Sequence, residues 1–569
     1  MWAKWTSNDR ILAGVSFEDR VNVSSNLTYI YNVDASMTRL VAMRWDGEDP
    51  VNPVPLVKKR ILQPQFQANV IDFLEDDPDH VLMQMDVDEM NIVGVQKIDV
   101  RRRSKIFERV IRGREVIRSW KTDKDNIVRY GEGVSNKNRQ LKVRSVADYR
   151  RTEDTSWFYL YDVDLNKEDI PFKFVAFTDD PNVIYILKPA ENGNNSLYTY
   201  NVNTKQTEAL IAGSDDYEIE FVKLDEDGKP EWYRYNAEKP GIGYLTDDGK
   251  RLDAIFKKNF PNKYVSINSK SRDNNKIVFK VSASNDPGTY YLLDINAGKI
   301  EMLNYIYQEV NVDTLSQMKP VSYEARDGLN IPGYLSLPNG NENKKLPTVI
   351  FPHWGPAIRD TLRFNYIAQF LTSQGYAVLQ MNYRGSTGYG KAYEKLGDHQ
   401  WGNKMLEDIN DGTTWMIEQG YADPDRICIF GDTYGGYAAL QSIVKDQSLY
   451  KCSIAHAPIT DLETYRETRR NYTNFRAHMN YIESEEYDLH QASPANNVDK
   501  INIPVLLMHS EKDRRVRVRQ SQGFESKMKA AGKEIEFVHW KEGNNFLSGQ
   551  VQRVDFLRQT GLFLEKHLK

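Results

Sequence analysis

The feature that most constrains the fold is a change of pattern near residue 315. Before it, the chain reads as strands only. Short runs rich in Val, Ile, Tyr and Phe, such as Leu27–Val33, Val81–Met85, Val183–Leu187, Leu197–Asn201, Lys276–Val281 and Tyr290–Leu293, alternate with polar turns. Asp227-Gly228, Asp248-Gly249 and Ala297-Gly298 read as turn signals between strands. After it, short apolar strands alternate with helical stretches, which implies a mainly parallel sheet with helices on both faces. A chain of 569 residues also exceeds what one hydrophobic core can hold. We therefore expect two domains, residues 1–315 and 316–569.

The first part carries a loose repeat of about 40–50 residues, the period of a four-stranded propeller blade. Ser196–Leu210 aligns with Thr289–Leu303, a Tyr-rich strand followed by a polar turn and an apolar strand in each. This length allows a six- or seven-bladed β-propeller; an array of β-sandwiches is the alternative. The N-terminal residues enter a strand directly, so an incomplete first blade or a removed leader is compatible with the sequence.

In the second part, strands are expected at Leu346–His353, Tyr376–Met381, Ile427–Phe430, Ser453–Ala457, Val505–His509 and Ile535–His539. Helices are expected at Phe364–Gln374, Met405–Gln419, Tyr437–Val444, Gln520–Ala531 and Val554–His567. Between a strand and a helix lies Gly431-Asp432-Thr433-Tyr434-Gly435-Gly436. This is the nucleophile-elbow pattern of a doubly wound α/β-hydrolase domain, with Thr433 where serine belongs. The flanking glycines suit a sharp turn against close backbone.

Residues from about 345 onward resemble the catalytic domain of the prolyl oligopeptidase family, in the acylaminoacyl peptidase and bacterial dipeptidyl aminopeptidase branch. The resemblance rests on Asn382-Tyr383-Arg384-Gly385-Ser386-Thr387-Gly388-Tyr389-Gly390, Trp401-Gly402, Asp423-Pro424-Asp425-Arg426, Tyr434-Gly435-Gly436-Tyr437 and Ser493-Pro494. The order of propeller, then hydrolase, agrees. The resemblance implies a propeller that restricts access to an interdomain cavity, and a peptide or small acyl-peptide ligand. It implies that Asp513 is the triad acid. The triad histidine falls at Asn545, with Asn544 as the alternative alignment, and both are asparagine. The oxyanion loop His353-Trp354-Gly355-Pro356 carries an indole where the family has glycine; Trp354 and Tyr434 would supply the two oxyanion N–H groups. Tyr465 and Tyr472 are candidates for a substrate pocket or, equally, for packing under a surface loop.

These substitutions argue against ordinary turnover. Threonine adds a Cβ branch that restricts χ1. Asparagine has no basic lone pair and cannot relay the nucleophile's proton. The expected protein is a pseudopeptidase that keeps peptide binding. The alternatives are an active family member using Thr433 with an unusual base, and a non-enzymatic propeller module or partner subunit of an oligomer, including a homo-oligomer. His353, His456 and His539 read as structural or rim histidines.

The formal net charge of -5 argues against nucleic-acid or anionic-membrane partners. Arg101-Arg102-Arg103 reads as a solvated strand end. No stretch reaches the length of a membrane span. No cofactor and no metal site is expected. Cys428 and Cys452 lie in apolar strands and read as buried free thiols. Localisation stays open between cytoplasm and, with a leader, periplasm.

Overall fold

The computed structural model describes all residues except 1, 8, 25–29, 56–66, 90–91, 104–107, 136–143, 166, 226, 272, 342–344, 471–474, 484 and 486. The side chains of several further residues around 17–36, 88–89, 135, 144 and 477 are likewise left undescribed. Leu27, at the start of one expected strand, lies outside the described residues; the strand itself runs Ile30–Arg44.

Six small antiparallel sheets follow one another along the first part of the chain, the blades of a six-bladed propeller. The first has three strands, Trp2–Trp5, Arg10–Ser24 and Ile30–Arg44, and the fifth has three, Glu218–Leu224, Pro230–Asn236 and Pro240–Tyr244; the others have four. The repeat seen in the sequence is real at the level of strands. Asn195–Asn201 with Gln206–Ala212 and Asp286–Asp294 with Lys299–Tyr305 are the third and fourth strands of their blades. Arg101, Arg102 and Arg103 are exposed just past the strand Ile92–Asp99, where Arg102 pairs with Asp99 and Arg101 with Asp79.

The strands-only expectation misses one helix, Asp247–Asn259. Asp248-Gly249 is its first turn rather than a loop between strands. The Thr246 side chain accepts from the Gly249 N–H, Asp247 and Asp248 sit at the positive end of the helix, and Lys257 and Lys258 sit at the negative end. Its apolar face is short: Leu252 and Phe256 are buried, with the Phe256 ring 4.8 Å from that of Phe279. So narrow a stripe among charged residues reads as a loop.

The chain divides into two compact units. The first comprises Met1–Ile186, Tyr198–Ala209 and Asp225–Lys229; the second comprises Leu187–Leu197, Leu210–Leu224 and Pro230–Lys569. In the first unit, one core gathers Leu12, Leu40, Val81, Met83 and Ile98, and another is aromatic, with Tyr130 stacked on Phe174 at 4.0 Å.

The second unit contains an eight-stranded sheet, numbered here from its own first strand: β1 Met318–Glu324, β2 Asn330–Ser336, β3 Leu346–Ile350, β4 Ala377–Met381, β5 Ala422–Asp432, β6 Cys452–His456, β7 Val505–Ser510 and β8 Ile535–Trp540. The spatial order is β1-β2-β4-β3-β5-β6-β7-β8. β1 and β2 are antiparallel to their neighbours, and β3 to β8 run parallel. The helices include α1 Tyr366–Ser373, α2 Lys391–Lys395, α3 Lys404–Glu418, α4 Tyr434–Asp446, α5 Leu462–Arg469, α6 Phe475–Ile482, α7 Arg519–Ala530 and α8 Gln550–Leu568. The continuous apolar runs are explained by burial on both faces. Ile350, Leu379, Ile429, Ala455 and Leu507 join one core; Val349, Val378, Cys428, Ile454 and Leu506 join the other. Among the described residues, no helix is long and apolar enough to cross a membrane.

A buried ion-pair network fixes the loop after β4. Arg384, held at the end of that strand, donates from Nε and Nη2 to Asp408 on α3 and from both Nη atoms to Asp327 on the β1–β2 turn. Burial outweighs the guanidinium at Asp408 and raises its pKa to about 6, whereas Asp327, nearer solvent, is lowered to about 2 by the Arg384 hydrogen bonds.

The cysteines correct the free-thiol expectation. Cys428 on β5 and Cys452 on β6 are register partners on adjacent parallel strands, and they form a disulfide. Linear sequence separates them by 24 residues, and only the strand register brings them together. A loop of that length would restrict the denatured chain by about 3.5 kcal/mol.

Two outcomes are expected. Arg384→Met, which strands the buried Asp408 carboxylate, should destabilise the α/β domain by about 3–5 kcal/mol, read as an earlier urea midpoint. Alkylation of the denatured, unreduced protein should leave Cys428 and Cys452 unmodified; two adducts by mass would show free thiols.

Candidate active site

The site grows from the turn between β5 and α4. Thr433 has φ +57° and ψ −107°, a left-handed conformation that a β-branched residue adopts only under constraint. The surrounding backbone supplies that constraint. The Thr433 N–H donates to the His456 carbonyl at 2.9 Å, and its carbonyl accepts from the Tyr437 N–H at 3.0 Å. The glycines are sterically required. A Cβ on Gly431 would lie 2.0 Å from the Gly435 carbonyl oxygen, and one on Gly435 would lie 2.4 Å from that of Pro352.

The Thr433 hydroxyl is partnered by a carboxylate. Its Oγ1 donates to Asp432 Oδ1 at 3.1 Å, and Nδ1 of the buried His456 meets the same oxygen at 2.9 Å. Hydroxyl and imidazole thus share one carboxylate oxygen. Its Nε2 is buried without a hydrogen-bond partner, and the ring packs against Phe556 at 5.2 Å. Among the described residues, no histidine side chain hydrogen-bonds to the Thr433 hydroxyl.

Asp513 follows β7 and is buried. Its Oδ1 accepts from the Arg515 and Val516 N–H groups at 2.8 and 3.0 Å. Its Oδ2 has no hydrogen-bond partner. The nearest imidazole, His509, lies 3.3 Å away, but its nitrogens are engaged by the Val516 carbonyl and the Ser521 hydroxyl. A triad acid in this place would direct its free oxygen to the imidazole of the loop after β8. That loop carries Asn544 and Asn545. Asn544 organises it: its Oδ1 accepts from the Phe546 and Ser548 N–H groups, and its carbonyl accepts from Ser510 and Gln552. Asn545 is 8% exposed, with no side-chain hydrogen bond among the described residues.

The oxyanion side is occupied. The Tyr434 N–H donates to the Trp354 carbonyl at 3.1 Å, so this donor is not directed at a ligand. His353 is buried, its two nitrogens on Ser386 Oγ and Tyr383 Oη, each at 3.0 Å, and burial lowers its pKa to about 3. The Trp354 indole is 44% exposed. The Arg515 guanidinium lies over it at 5.0 Å and over the Phe546 ring, also at 5.0 Å. His539 is on the rim, paired with Glu511 at 2.6 Å.

Tyr465 lies in the domain core, 4% exposed, its hydroxyl 3.1 Å from His478 Nε2 and its ring under Arg469. Tyr472 lies outside the described residues. Sequence reasoning overlooked two features. Asp432 sits inside the elbow motif, and a carboxylate beside a hydroxyl residue was the available signal. The Trp354–Arg515–Phe546 stack joins three separate loops, and no sequence signal foretells it.

Residues 362–569 match the model described as the prolyl oligopeptidase family. Dipeptidyl aminopeptidase BIII of Pseudoxanthomonas mexicana is 28% identical over 326 residues, which cover 54% of this chain and 47% of that protein. The acylamino-acid-releasing enzyme of Mus musculus is 26% identical over 242 residues, covering 40% of this chain and 32% of that protein. The matched part spans about half, or less, of the length of these curated relatives. Among solved structures, a puromycin-hydrolyzing peptidase of Mycobacterium tuberculosis superposes with a TM-score of 0.76 at 17% identity, over 100% of this chain and 86% of that one. The acylaminoacyl peptidase of Pyrococcus horikoshii gives a TM-score of 0.56 at 16% identity, over 99% and 95%. These structural likenesses concern the fold. Together with the strand order, the glycine-bound elbow and the acid after β7, the match over residues 362–569 makes the C-terminal α/β domain a member of the prolyl oligopeptidase family.

Proposed function

We propose that this chain is a peptidase-like protein that holds peptides or small acyl-peptides without ordinary hydrolytic turnover. One observation carries the reading: the Thr433 hydroxyl meets the Asp432 carboxylate, while Asp513 Oδ2 has no hydrogen bond and the imidazole beside it, His509 at 3.3 Å, is engaged by Val516 and Ser521 and not by the hydroxyl. A serine-type mechanism needs a group that takes the nucleophile's proton and returns it to the leaving amine. Asn545 or Asn544 can do neither. In subtilisin, loss of the serine or the histidine alone costs about 10⁶ in kcat. The engaged Tyr434 N–H removes a further source of transition-state stabilisation, worth about 10²–10³-fold where such donors have been deleted.

The Thr433–Asp432 contact also favours a second reading, a weak hydrolase in which Asp432 accepts the proton and His456 positions it. A carboxylate is poorly matched to a hydroxyl, so such activity would be slow.

Wild-type protein should show no stoichiometric fluorophosphonate labelling at Thr433; robust labelling there would defeat the first reading. T433S/N545H should raise turnover of acylaminoacyl chromogenic substrates by about 10²–10⁴-fold. T433S/N544H should not, because Asn544 holds its own loop. Any wild-type activity that vanishes in both T433A and D432N would establish the second reading.

A further inference from the structure

We propose that the propeller carries a binding site of its own, a cavity among its first three blades that takes a planar ring bearing a phosphate monoester.

The first strand of each of these blades is an edge strand of its sheet: Trp2–Trp5, Val70–Asp72 and Ser119–Thr122. The three edges converge on one cavity of about 570 Å³. Small-molecule sites fall in the range of about 300–1,000 Å³. The blades of a propeller surround a central channel, and edges that meet in this way face it. Every residue lining the cavity belongs to the first compact unit, so it shares none with the site at Thr433.

The lining has two parts. One is a ring surface. The Trp2 indole is 37% exposed and stands edge-on to Phe73, with ring centroids 6.0 Å apart. Gly14, the register partner of Trp2, makes this placement possible, because a Cβ there would lie 2.3 Å from Trp2 Nε1. The indole is thus seated on bare backbone.

The other part is a set of donors. Lys4 and Lys121 come from the first and third edge strands, and among the described residues no acidic side chain lines the cavity. Lys4 Nζ lies 4.1 Å from the centroid of the Phe73 ring, and among the described residues neither lysine pairs with a carboxylate. Gln84 is oriented by the backbone. Its Oε1 accepts from the Trp120 N–H at 2.9 Å, which leaves its amide Nε2 with no acceptor among the described residues. The Ser119 hydroxyl stands beside the same strand end with no partner among them.

Two ammonium groups, an amide and a hydroxyl without a neutralising acid select an anion, in a chain whose net charge is -5. A phosphate monoester carries about two negative charges at neutral pH, which matches the two lysines. Lysine binds phosphate as a compact point charge, and the cavity has no arginine fork of the kind that matches a carboxylate. The indole beside these charges gives a planar group a face to stack on.

The test is calorimetric titration of the full chain with 1-naphthyl phosphate. It should bind. Inorganic phosphate, which lacks the ring, 1-naphthol, which lacks the charge, and 1-naphthoate, which has a single charge, should each bind at least about tenfold more weakly. K4Q and K121Q should each weaken 1-naphthyl phosphate by about tenfold, and W2A should bring it toward inorganic phosphate. Absence of binding, or unchanged affinity in both lysine variants, would overturn the site. Equal binding of 1-naphthoate would overturn the phosphate assignment, and equal binding of inorganic phosphate would overturn the role of the ring. The comparison among the four compounds uses the unmodified chain, so it decides the proposal even where a variant fails to fold.

Discussion

The structure turns on the left-handed backbone at Thr433. A strand ends, reverses within one residue and becomes a helix whose first turns are in contact with that strand's end. The turn is possible only because Gly431 and Gly435 let backbone pass where a Cβ would collide with a carbonyl oxygen. The neighbouring strand reinforces it, since the His456 carbonyl accepts the Thr433 N–H. Placement of the hydroxyl at the carboxyl end of the sheet follows from these contacts. It does not depend on whether residue 433 can act as a nucleophile.

Scaffold and chemistry are therefore separable in this protein. The sheet order, the Arg384–Asp408–Asp327 network and the buried acid after β7 are all present. At the Thr433 hydroxyl stands the Asp432 carboxylate, and His456 Nδ1 meets the same carboxylate oxygen. The Trp354 carbonyl on the Tyr434 N–H and the stack of Trp354, Arg515 and Phe546 alter the remaining faces of the same site.

The parallel sheet was legible because its strands are unbroken apolar runs and its helices carry apolar stripes wide enough to show a helical period. The elbow was legible because its glycines answer a steric demand local to a few residues. The helix Asp247–Asn259 was not, since two buried side chains among charged residues leave little periodicity. The choice between Asn544 and Asn545 was not either. Alignment treats both alike, whereas the structure spends the Asn544 side chain on holding its own loop.

By itself, the sequence determined the order of propeller and α/β sheet, the strand–turn–helix at Thr433 and the absence of a histidine between His539 and His567, because each depends on residue type or on spacing along a few neighbours. The tertiary structure decided which groups meet. Cys428 joins Cys452 through strand register, His456 meets Asp432 across adjacent strands, and Trp354, Arg515 and Phe546 converge from three loops. Such contacts depend on how the sheet orders its strands in space, which residues distant in the chain cannot express locally.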